Sequence, residues 1–293
     1  MKKRALQCEM IFFRASIIVL LLIGSTCVCQ SQSIDNRLSK ANSLFFEKDY
    51  TNALPVYQQL LTELTDSVDL SNLYSYAAIC SEQIQDSAQA YEYYKKAVVY
   101  RSVQPSVYNK LYSLAGKQGD FECQEFVLTR RMEVFPSEQK TAREKLARLY
   151  ASSQQYPKLL QLTDQLLKEN PENSEYQYLK GIALQNSGET EMAEQSLRKA
   201  LEMNPDDYAA NMGLGLLLFN RASEAFDKEQ AEYEKNKNPK WSDYLDYIQR
   251  MRKIKAMYNS AEPYLSKACQ MSCSDSLKKA LEILKSRTAE IKG

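Results

Sequence analysis

Residues 174–207 read SEYQYLKGIALQNSGETEMAEQSLRKALEMNPDD, and this stretch decides the fold. Small residues and a proline divide it at fixed intervals, because Gly181, Ala193, Ala200 and Pro205 follow one another with gaps of 12, 7 and 5 residues. Both halves of the stretch carry apolar residues at three- and four-residue steps, which is the pattern of amphipathic helices. The stretch therefore predicts a helical hairpin that ends at Pro205, since the residue before a proline is pushed out of the α region.

The same spacing recurs along the chain. A 12-residue gap followed by a 7-residue gap separates three further sets of residues, which are Ala41, Ala53 and Leu60; Ala78, Ala90 and Ala97; and Ala147, Leu159 and Leu166. Pro136, Pro171 and Pro205 stand 35 and 34 residues apart. Small residues at such positions let paired helices approach closely where they cross. The chain is therefore predicted to consist of helical hairpins with a period of about 34 residues.

In this period and in these small residues the chain resembles the tetratricopeptide repeat family. The resemblance implies an all-α fold, a right-handed α-solenoid of about six helix hairpins, in which each hairpin buries its apolar side on the next. Five repeats are expected in the segment 34–207, at 34–67, 71–104, 105–139, 140–173 and 174–207. The third is the least regular, because Tyr112, Gln124 and Arg131 occupy positions where the family usually has small residues.

A sixth repeat is expected to be split by an insertion. It begins with Leu214 and Gly215, but the matching alanines come only at Ala261 and Ala268, so the first gap is 46 residues instead of 12. The predicted segments are the sixth repeat at 208–273, a helical insert at 221–260 within it, and a capping helix at 274–293. The capping helix has an apolar face with Arg287 among the outward charged residues, the apolar residues being Leu277, Ala280, Leu281, Leu284 and Ile291.

The insert is predicted to contain two helical stretches separated by a break between Asn236 and Pro239. The second stretch has an apolar stripe that is a candidate interface with a partner, represented by Trp241, Tyr244 and Ile248. Asn259 or Ser260 is expected to cap a new helix that carries Pro263 in its first turn. Two geometries stay open: the stretches project as a long hairpin, or the second folds back over an inner apolar face formed by Met212, Leu216 and Phe219.

The N-terminus has the order of a secretory signal peptide over 1–29. Basic residues precede an apolar run from Ala15 to Ile23, and small residues follow at Cys27 and Cys29. The run is about half the roughly 20 residues that a membrane-spanning helix requires. We expect cleavage after Cys29 and an exported protein, periplasmic or secreted. A membrane-anchored lipoprotein is the less favoured alternative, because the residues before Cys27 and Cys29 fit a lipoprotein signal poorly.

Four cysteines remain if the signal peptide is removed. Cys80 and Cys123 have the character of small core residues. Cys269 and Cys273 are close in sequence, but a separation of four residues near a helix end is awkward to bridge. An oxidising compartment permits a bridge, yet we expect four unpaired thiols.

Composition excludes several classes of function. The chain has 38 Lys and Arg against 37 Asp and Glu, and no histidine. The lack of histidine removes the usual general base and the commonest zinc ligand, and the charge balance argues against a nucleic-acid-binding stripe. Neighbouring carboxylates such as Asp206 and Asp207 suit the start of a helix. No catalytic residue, metal ligand or cofactor is therefore predicted.

The resemblance implies that the first helix of each hairpin lines a concave groove where partners bind. By repeat register, the groove candidates are Asn42, Phe45, Phe46, Asn72, Ser75, Ile79, Asn109, Ser113, Lys117, Glu144, Arg148, Tyr178, Ile182 and Gln185. Such a mixed polar and aromatic surface suits an extended peptide or a helix. The alternative is that Phe45, Ile79 and Ile182 only pack between repeats. The clamp by which some relatives hold a terminal carboxylate is absent, since Leu38 and Asn42 replace its Lys and Asn.

These features favour a non-enzymatic scaffold that binds another protein. By resemblance, the chain is similar to exported bacterial adaptors of the cell envelope, with the binding site in the concave groove. A glycan or cell-wall binder is a second reading, because tyrosines along a groove stack on sugar rings, and a lipid-anchored assembly factor is a third. An enzyme is the least favoured. The partner and the oligomeric state are left open.

Overall fold

The computed structural model describes residues 34–64 and 67–291, and every regular element in these ranges is a helix. The predicted all-α solenoid of helix hairpins is confirmed. The helices are α1 (34–46), α2 (Tyr50–Glu63), α3 (Ser67–Gln83), α4 (Ser87–Val99), α5 (Pro105–Gln118), α6 (Phe121–Val134), α7 (Gln139–Ser152), α8 (Tyr156–Glu169), α9 (Ser174–Asn186), α10 (Thr190–Met203), α11 (Tyr208–Lys235), α12 (Trp241–Met271) and α13 (Asp275–Glu290). A 3-10 turn, Pro136–Glu138, precedes α7.

The chain forms two compact units. The N-terminal unit ends at Ala142 and the C-terminal unit begins at Arg143, so the division falls inside α7. Within each unit, helices that follow one another along the chain pack together, as α2 does with α3 and α9 with α10. The second helices of the five regular hairpins begin at Tyr50, Ser87, Phe121, Tyr156 and Thr190, with the spacing expected for the repeat.

Each regular hairpin turns through one residue in the left-handed region. The backbone φ is positive at Lys48, Gln85, Gly119, Gln154 and Gly188. Glycine adopts this conformation without steric cost, whereas other residues do so with strain. Only the two glycines mark this turn in the sequence, so the turns at the other three positions become evident only in the structure.

Small residues lie where the paired helices cross. A Cβ on Gly181 would lie 2.8 Å from Leu197 Cγ and 3.4 Å from the Ala193 carbonyl oxygen. The neighbouring hairpins use alanine instead, and Ala78 and Ala90 are buried. The close helix approach predicted from the gap of 12 residues is confirmed at Gly181.

The irregular hairpin of α5 and α6 accommodates its larger residues through polar contacts. Gln124 is buried, and its Nε2 donates to the Tyr112 carbonyl oxygen at 3.3 Å. A Cβ on Gly116 would lie 2.8 Å from that Nε2, so the glycine leaves room for the amide. Arg131 forms an ion pair with Glu138. The absence of small residues therefore leaves the hairpin intact.

The last hairpin settles the geometry of the insert. Gly215 approaches Leu265, Phe219 contacts Tyr258, and further out the Tyr233 and Tyr247 rings stack at 4.2 Å. The two helices thus pair antiparallel along their whole length and form one long hairpin. Of the three residues named for the folded-back alternative, Phe219 is buried and contacts Tyr258, whereas Met212 and Leu216 stay partly exposed. The predicted break between Asn236 and Pro239 is confirmed.

The expectation of a new helix at Asn259 or Ser260 is wrong. Helix α12 runs without interruption from Trp241 to Met271, with Pro263 in its interior. A proline removes one helical hydrogen bond and leaves the carbonyl four residues earlier without its donor. Pro263 and Asn259 are both exposed, so the interruption lies on the solvent side of the helix, while the buried side continues to pack on α11.

Helix α13 covers the inner part of this hairpin. Leu277, Ala280 and Leu284 are buried against α11 and α12, as the capping helix requires. Arg287 was predicted to point outward, and this is wrong. Its guanidinium donates to Asp227 at 2.7 Å and to the Tyr258 hydroxyl at 2.8 Å, because the longer α11 brings these groups to the end of α13.

The expectation of four unpaired thiols is also wrong, since Cys269 and Cys273 form a disulfide. Helix α12 ends at Met271, and the extended conformation of Ser272 lets the chain turn back toward Cys269. Cys80 and Cys123 are free and buried, as predicted. Burial raises the pKa of the Cys80 thiol to about 12.

No helix in the described part of the chain is both long enough and apolar enough to cross a membrane. The predicted signal peptide at 1–29 lies outside the described residues.

Candidate functional site

In the N-terminal unit, Asn42 and Phe45 on α1 are half-buried. The Tyr57 hydroxyl donates to Asn42 Oδ1 at 2.9 Å, which ties the asparagine to its own hairpin. The Phe45 ring lies 5.0 Å from the Tyr76 ring on α3, so it packs between successive hairpins. Phe46 beside it is 75% exposed and is accessible to a partner.

Ser75 is not a surface residue, and its prediction as a groove residue is wrong. Its side chain is fully buried, its Oγ lies 3.0 Å from Ser102 Oγ, and it donates to the Ser71 carbonyl oxygen. The link between α4 and α5 places Ser102 over this position. Asn72 and Ile79 on the same helix are half-exposed.

Three candidates on α5 form an exposed polar row at four-residue spacing, Asn109, Ser113 and Lys117. The Arg131 guanidinium donates to Asn109 Oδ1 at 2.6 Å, so this amide already has a partner within the hairpin. Ser113 and Lys117 face solvent.

In the C-terminal unit, the candidate residues on α7 form polar contacts with residues of α9. Arg148 binds Glu175 through two parallel hydrogen bonds of 2.6 and 2.9 Å. The Tyr176 hydroxyl donates to Glu144 at 2.7 Å. Burial, together with this carboxylate, raises the pKa of Tyr176 to about 12. Gln185, further along α9, is half-exposed.

Helices α9 and α11 present four apolar side chains that are only partly covered: Tyr178, Ile182, Met212 and Leu216. We call these four residues the first-helix face. A Cβ on Gly213 would lie 3.6 Å from Tyr178 Cε2 and 3.7 Å from Ile182 Cδ1, so this glycine brings the two helices together beneath the face. Burial raises the pKa of Tyr178, and the Asp207 carboxylate adds to the shift. The tyrosine is therefore neutral, with a ring and a hydroxyl to offer a partner.

Sequence reasoning missed two residues of these surfaces. Glu175 pairs with Arg148, and Tyr76 packs on Phe45. Glu175 lies three residues before Tyr178, and Tyr76 lies four residues after Asn72, so each shares a helix face with a predicted candidate. Helical register would therefore have included both residues. Met212 and Leu216 were predicted to form an apolar inner face, but they were not assigned to the partner site.

The candidates in the insert lie near the start of α12. Trp241 is 72% exposed and its ring lies 5.3 Å from the Tyr244 ring. Tyr244 and Ile248 are half-exposed. These residues are far along the hairpin from the first-helix face, so the structure does not bring the two candidate groups together.

An open cavity of about 350 Å³ lies between α10, α11 and α12. Both of its basic side chains already have partners, because Arg198 pairs with Glu194 and Lys267 with Asp206. Among the described residues, no group of three or more cysteine, aspartate or glutamate side chains is arranged to hold a metal ion.

Comparison with known proteins gives one family match. Residues 178–237, which span most of α9, all of α10 and α11, match the model of the tetratricopeptide repeat family. No curated protein matches the sequence.

Several solved structures resemble the chain at low identity. A candidate protein-binding protein from Bacteroides ovatus is 18% identical over 76% of this chain and 99% of its own, with a TM-score of 0.48. A tetratricopeptide repeat protein from Parabacteroides merdae is 16% identical over 87% of this chain and 99% of its own, with a TM-score of 0.40. A repeat protein from Bacteroides fragilis is 19% identical over 86% and 98%, with a TM-score of 0.37.

The family match and the architecture agree. The matched segment contains the crossing of Gly181 with Leu197, and hairpins of the same period precede it in the described residues. Residues 178–237 therefore form a segment of the tetratricopeptide repeat type within an array of helix hairpins, and repeats of this type serve as protein-interaction scaffolds.

Proposed function

We propose that the chain is an exported adaptor that binds an extended peptide or a helix of another protein on the first-helix face. The observation that carries the proposal is the arrangement of Tyr178, Ile182, Met212 and Leu216 on adjacent helices. Tyr178, Met212 and Leu216 pack on the core of the C-terminal unit, Ile182 lies beside Gly213, and all four side chains are partly open to solvent. An apolar centre with a polar rim is the anatomy of a protein-binding surface.

The ion pair of Arg148 and Glu175 supports a polar rim on this site. Both side chains are about half exposed, at 56% and 42%, so the pair contributes little to folding stability. A partner carboxylate would compete with Glu175 for the planar guanidinium of Arg148. We therefore expect a bound segment with apolar residues and at least one acidic residue.

Export is supported by two features. The order of basic, apolar and small residues in the segment 1–29 is typical of a signal peptide. The disulfide between Cys269 and Cys273 is consistent with an oxidising compartment. We propose a periplasmic or secreted location in a bacterial cell, with an N-terminus at Gln30; mass spectrometry of the exported protein tests this assignment.

Site-specific photocrosslinking in the native cell tests the binding site. A photoreactive phenylalanine analogue placed at Tyr178 or Leu216 is expected to trap one discrete protein, because both positions lie on the proposed surface. Lys199 is the matched control, since it is exposed on α10, the second helix of the hairpin. Addition of Arg148→Glu is expected to reduce the adduct at least about tenfold, as the charge reversal repels an acidic partner.

Equal adducts from Tyr178 and Lys199 would contradict the proposal, as would adducts that survive Arg148→Glu unchanged. If polysaccharide-degrading enzymes digest the crosslinked partner and proteases do not, the ligand is instead a glycan. Circular dichroism of each variant checks that the helices are intact.

A further inference from the structure

The hairpin of α11 and α12 extends well beyond the helix that covers it. Helix α13 ends at Glu290, and the carbonyl oxygen of the next residue, Ile291, accepts a hydrogen bond from Lys255 Nζ at 3.0 Å. The part of α12 from Trp241 to Ile254 thus lies past the end of α13. At about 1.5 Å per residue, this part is roughly 20 Å long.

The side of α12 that faces α13 continues outward with apolar residues. Lys255 and Tyr258 contact α13. Positions seven residues apart lie on the same side of a helix. Ile248 and Met251 lie seven residues before this pair, and Trp241 and Tyr244 lie seven residues before those two. The surface of α11 and α12 on which α13 packs, which we call the inner seat, therefore continues outward along α12 with apolar residues.

Helix α11 likewise carries the same kinds of side chain one heptad beyond the residues that contact α13. Where α13 ends, the Arg287 guanidinium lies over the Phe226 ring at 4.5 Å and pairs with the Asp227 carboxylate at 2.7 Å. Seven residues further along α11 are Tyr233 and Glu234, which again place a ring beside a carboxylate. Tyr233 is half-exposed and Glu234 is exposed.

We propose that this outer seat, formed by Tyr233, Glu234, Trp241, Tyr244 and Ile248, binds an amphipathic helix of another protein in line with α13. The bound helix carries apolar residues at three- and four-residue steps and one Arg or Lys that pairs with Glu234. The choice of a helix rests on continuity with α13, which packs on the same two helices by the same contacts. This surface is separate from the first-helix face and adds a second docking site to the adaptor.

A peptide of residues 274–291 is the probe, because it carries the apolar spacing and the Arg287 that the inner seat already holds. It contains neither Trp nor Tyr, and Trp241 is the single tryptophan of the chain, so its fluorescence reports on the outer seat directly. Titration into the full chain purified from its native cell is expected to give a saturable blue shift. The added peptide should not bind the inner seat, because α13 occupies it and, being part of the same chain, has an effective concentration in the millimolar range.

Ile248→Asp is expected to weaken binding of the peptide at least about tenfold, since it places a charge at the centre of the seat. Gln249→Asp is the matched control, because the neighbouring exposed residue points away from the seat and should leave affinity unchanged. A charge exchange gives a second test. Glu234→Lys is expected to weaken binding of the peptide, and a peptide with Arg287→Glu is expected to restore binding to that variant.

Three results would overturn the proposal: no saturable shift, equal loss with Gln249→Asp, or failure of the charge exchange. A dimer in sedimentation that Ile248→Asp dissociates would also overturn it, because a second copy would then occupy the seat. Tyr178→Ala serves as an independent check, as it removes part of the first-helix face and should leave peptide binding intact. Failure of the outer seat is thereby distinguished from failure of the proposed function.

Discussion

At the scale of the residue, the turn within each regular hairpin depends on two consecutive positions. The residue with positive φ is followed by an aspartate in three hairpins, and these side chains accept a hydrogen bond from a backbone N–H of the next helix, as Asp49, Asp86 and Asp120 do. Gln155 and Glu189 occupy the same position and form no such bond. An aspartate here satisfies a helix donor that otherwise depends on water.

Glu189→Asp is expected to stabilise the chain, because the shorter side chain has the length needed to cap α10. The gain should be about 0.5–1 kcal/mol in the free energy of unfolding, measured by urea denaturation. Glu202→Asp, at an exposed position near the end of α10, is the control and should give no gain. A loss of stability on Glu189→Asp would show that this turn does not tolerate the capping geometry.

Asp120 should make stability depend on acid. The backbone N–H of Cys123, followed by the Tyr91 hydroxyl, lowers the pKa of this carboxylate below its ordinary value. A group with a lowered folded pKa contributes stability above its unfolded pKa, near 4, and loses it as pH falls through the folded value. Asp120→Asn is therefore expected to reduce stability at pH 7 and to flatten the decline below about pH 4, measured by thermal melts. An unchanged pH profile would contradict this role.

At the scale of the element, helices α12 and α13 are joined by a short link that the disulfide closes. Cys269 lies in the last turns of α12 and Cys273 precedes Ser274, the residue that caps α13. The bridge therefore restricts the angle at which α13 leaves α12. In the chain-entropy account, a bridge across so short a loop stabilises by about 2 kcal/mol or less.

A reducing agent is expected to lower the melting temperature of the chain by a few degrees. The double variant Cys269→Ser and Cys273→Ser should melt at the reduced temperature and should no longer respond to reductant. Cys80 and Cys123 are unpaired and buried, so they contribute nothing to this response. A variant that still responds to reductant would place the sensitive bond elsewhere.

At the scale of the whole molecule, stability should be local, because each helix packs chiefly on its neighbours along the chain. The repeat array then behaves as a series of coupled hairpins, in which the loss of one element affects the adjacent ones most. Helix α13 is the last helix of the C-terminal unit in the described residues, and its apolar side belongs to the same buried cluster as Tyr258 and Leu265.

Truncation after Cys273 is expected to reduce amide hydrogen-exchange protection in α11 and α12 by exposing this apolar side to water. Protection in α3 to α6 should be unchanged, since these helices lie in the N-terminal unit and α13 lies in the C-terminal unit. Replacement of α13 residues at exposed positions only, such as Lys279→Ala, is the control. Uniform loss of protection along the chain would show that the array unfolds as one cooperative body.

Much of the fold was predictable because it depends on local patterns. The crossing at Gly181 and the caps of several helices follow from residue size and from hydrogen bonding within a few positions. The site was harder to predict. Ser75 has the register of a surface residue, and only the link that carries Ser102 buries it. Arg287 has the pattern of a solvated residue, and only the length of α11 supplies Asp227 as its partner.

The amino-acid sequence alone determined that the chain is helical, that its hairpins repeat about every 34 residues and that the last repeat is interrupted, because helical periodicity and small residues at crossings act over short distances. Tertiary structure alone decided that the insert continues the last hairpin, that Pro263 lies within a continuous helix and that Cys269 pairs with Cys273. The first two outcomes depend on which surfaces meet across α11, α12 and α13, and such contacts have no signature in the local pattern. The disulfide depends on the extended backbone of Ser272, where α12 ends.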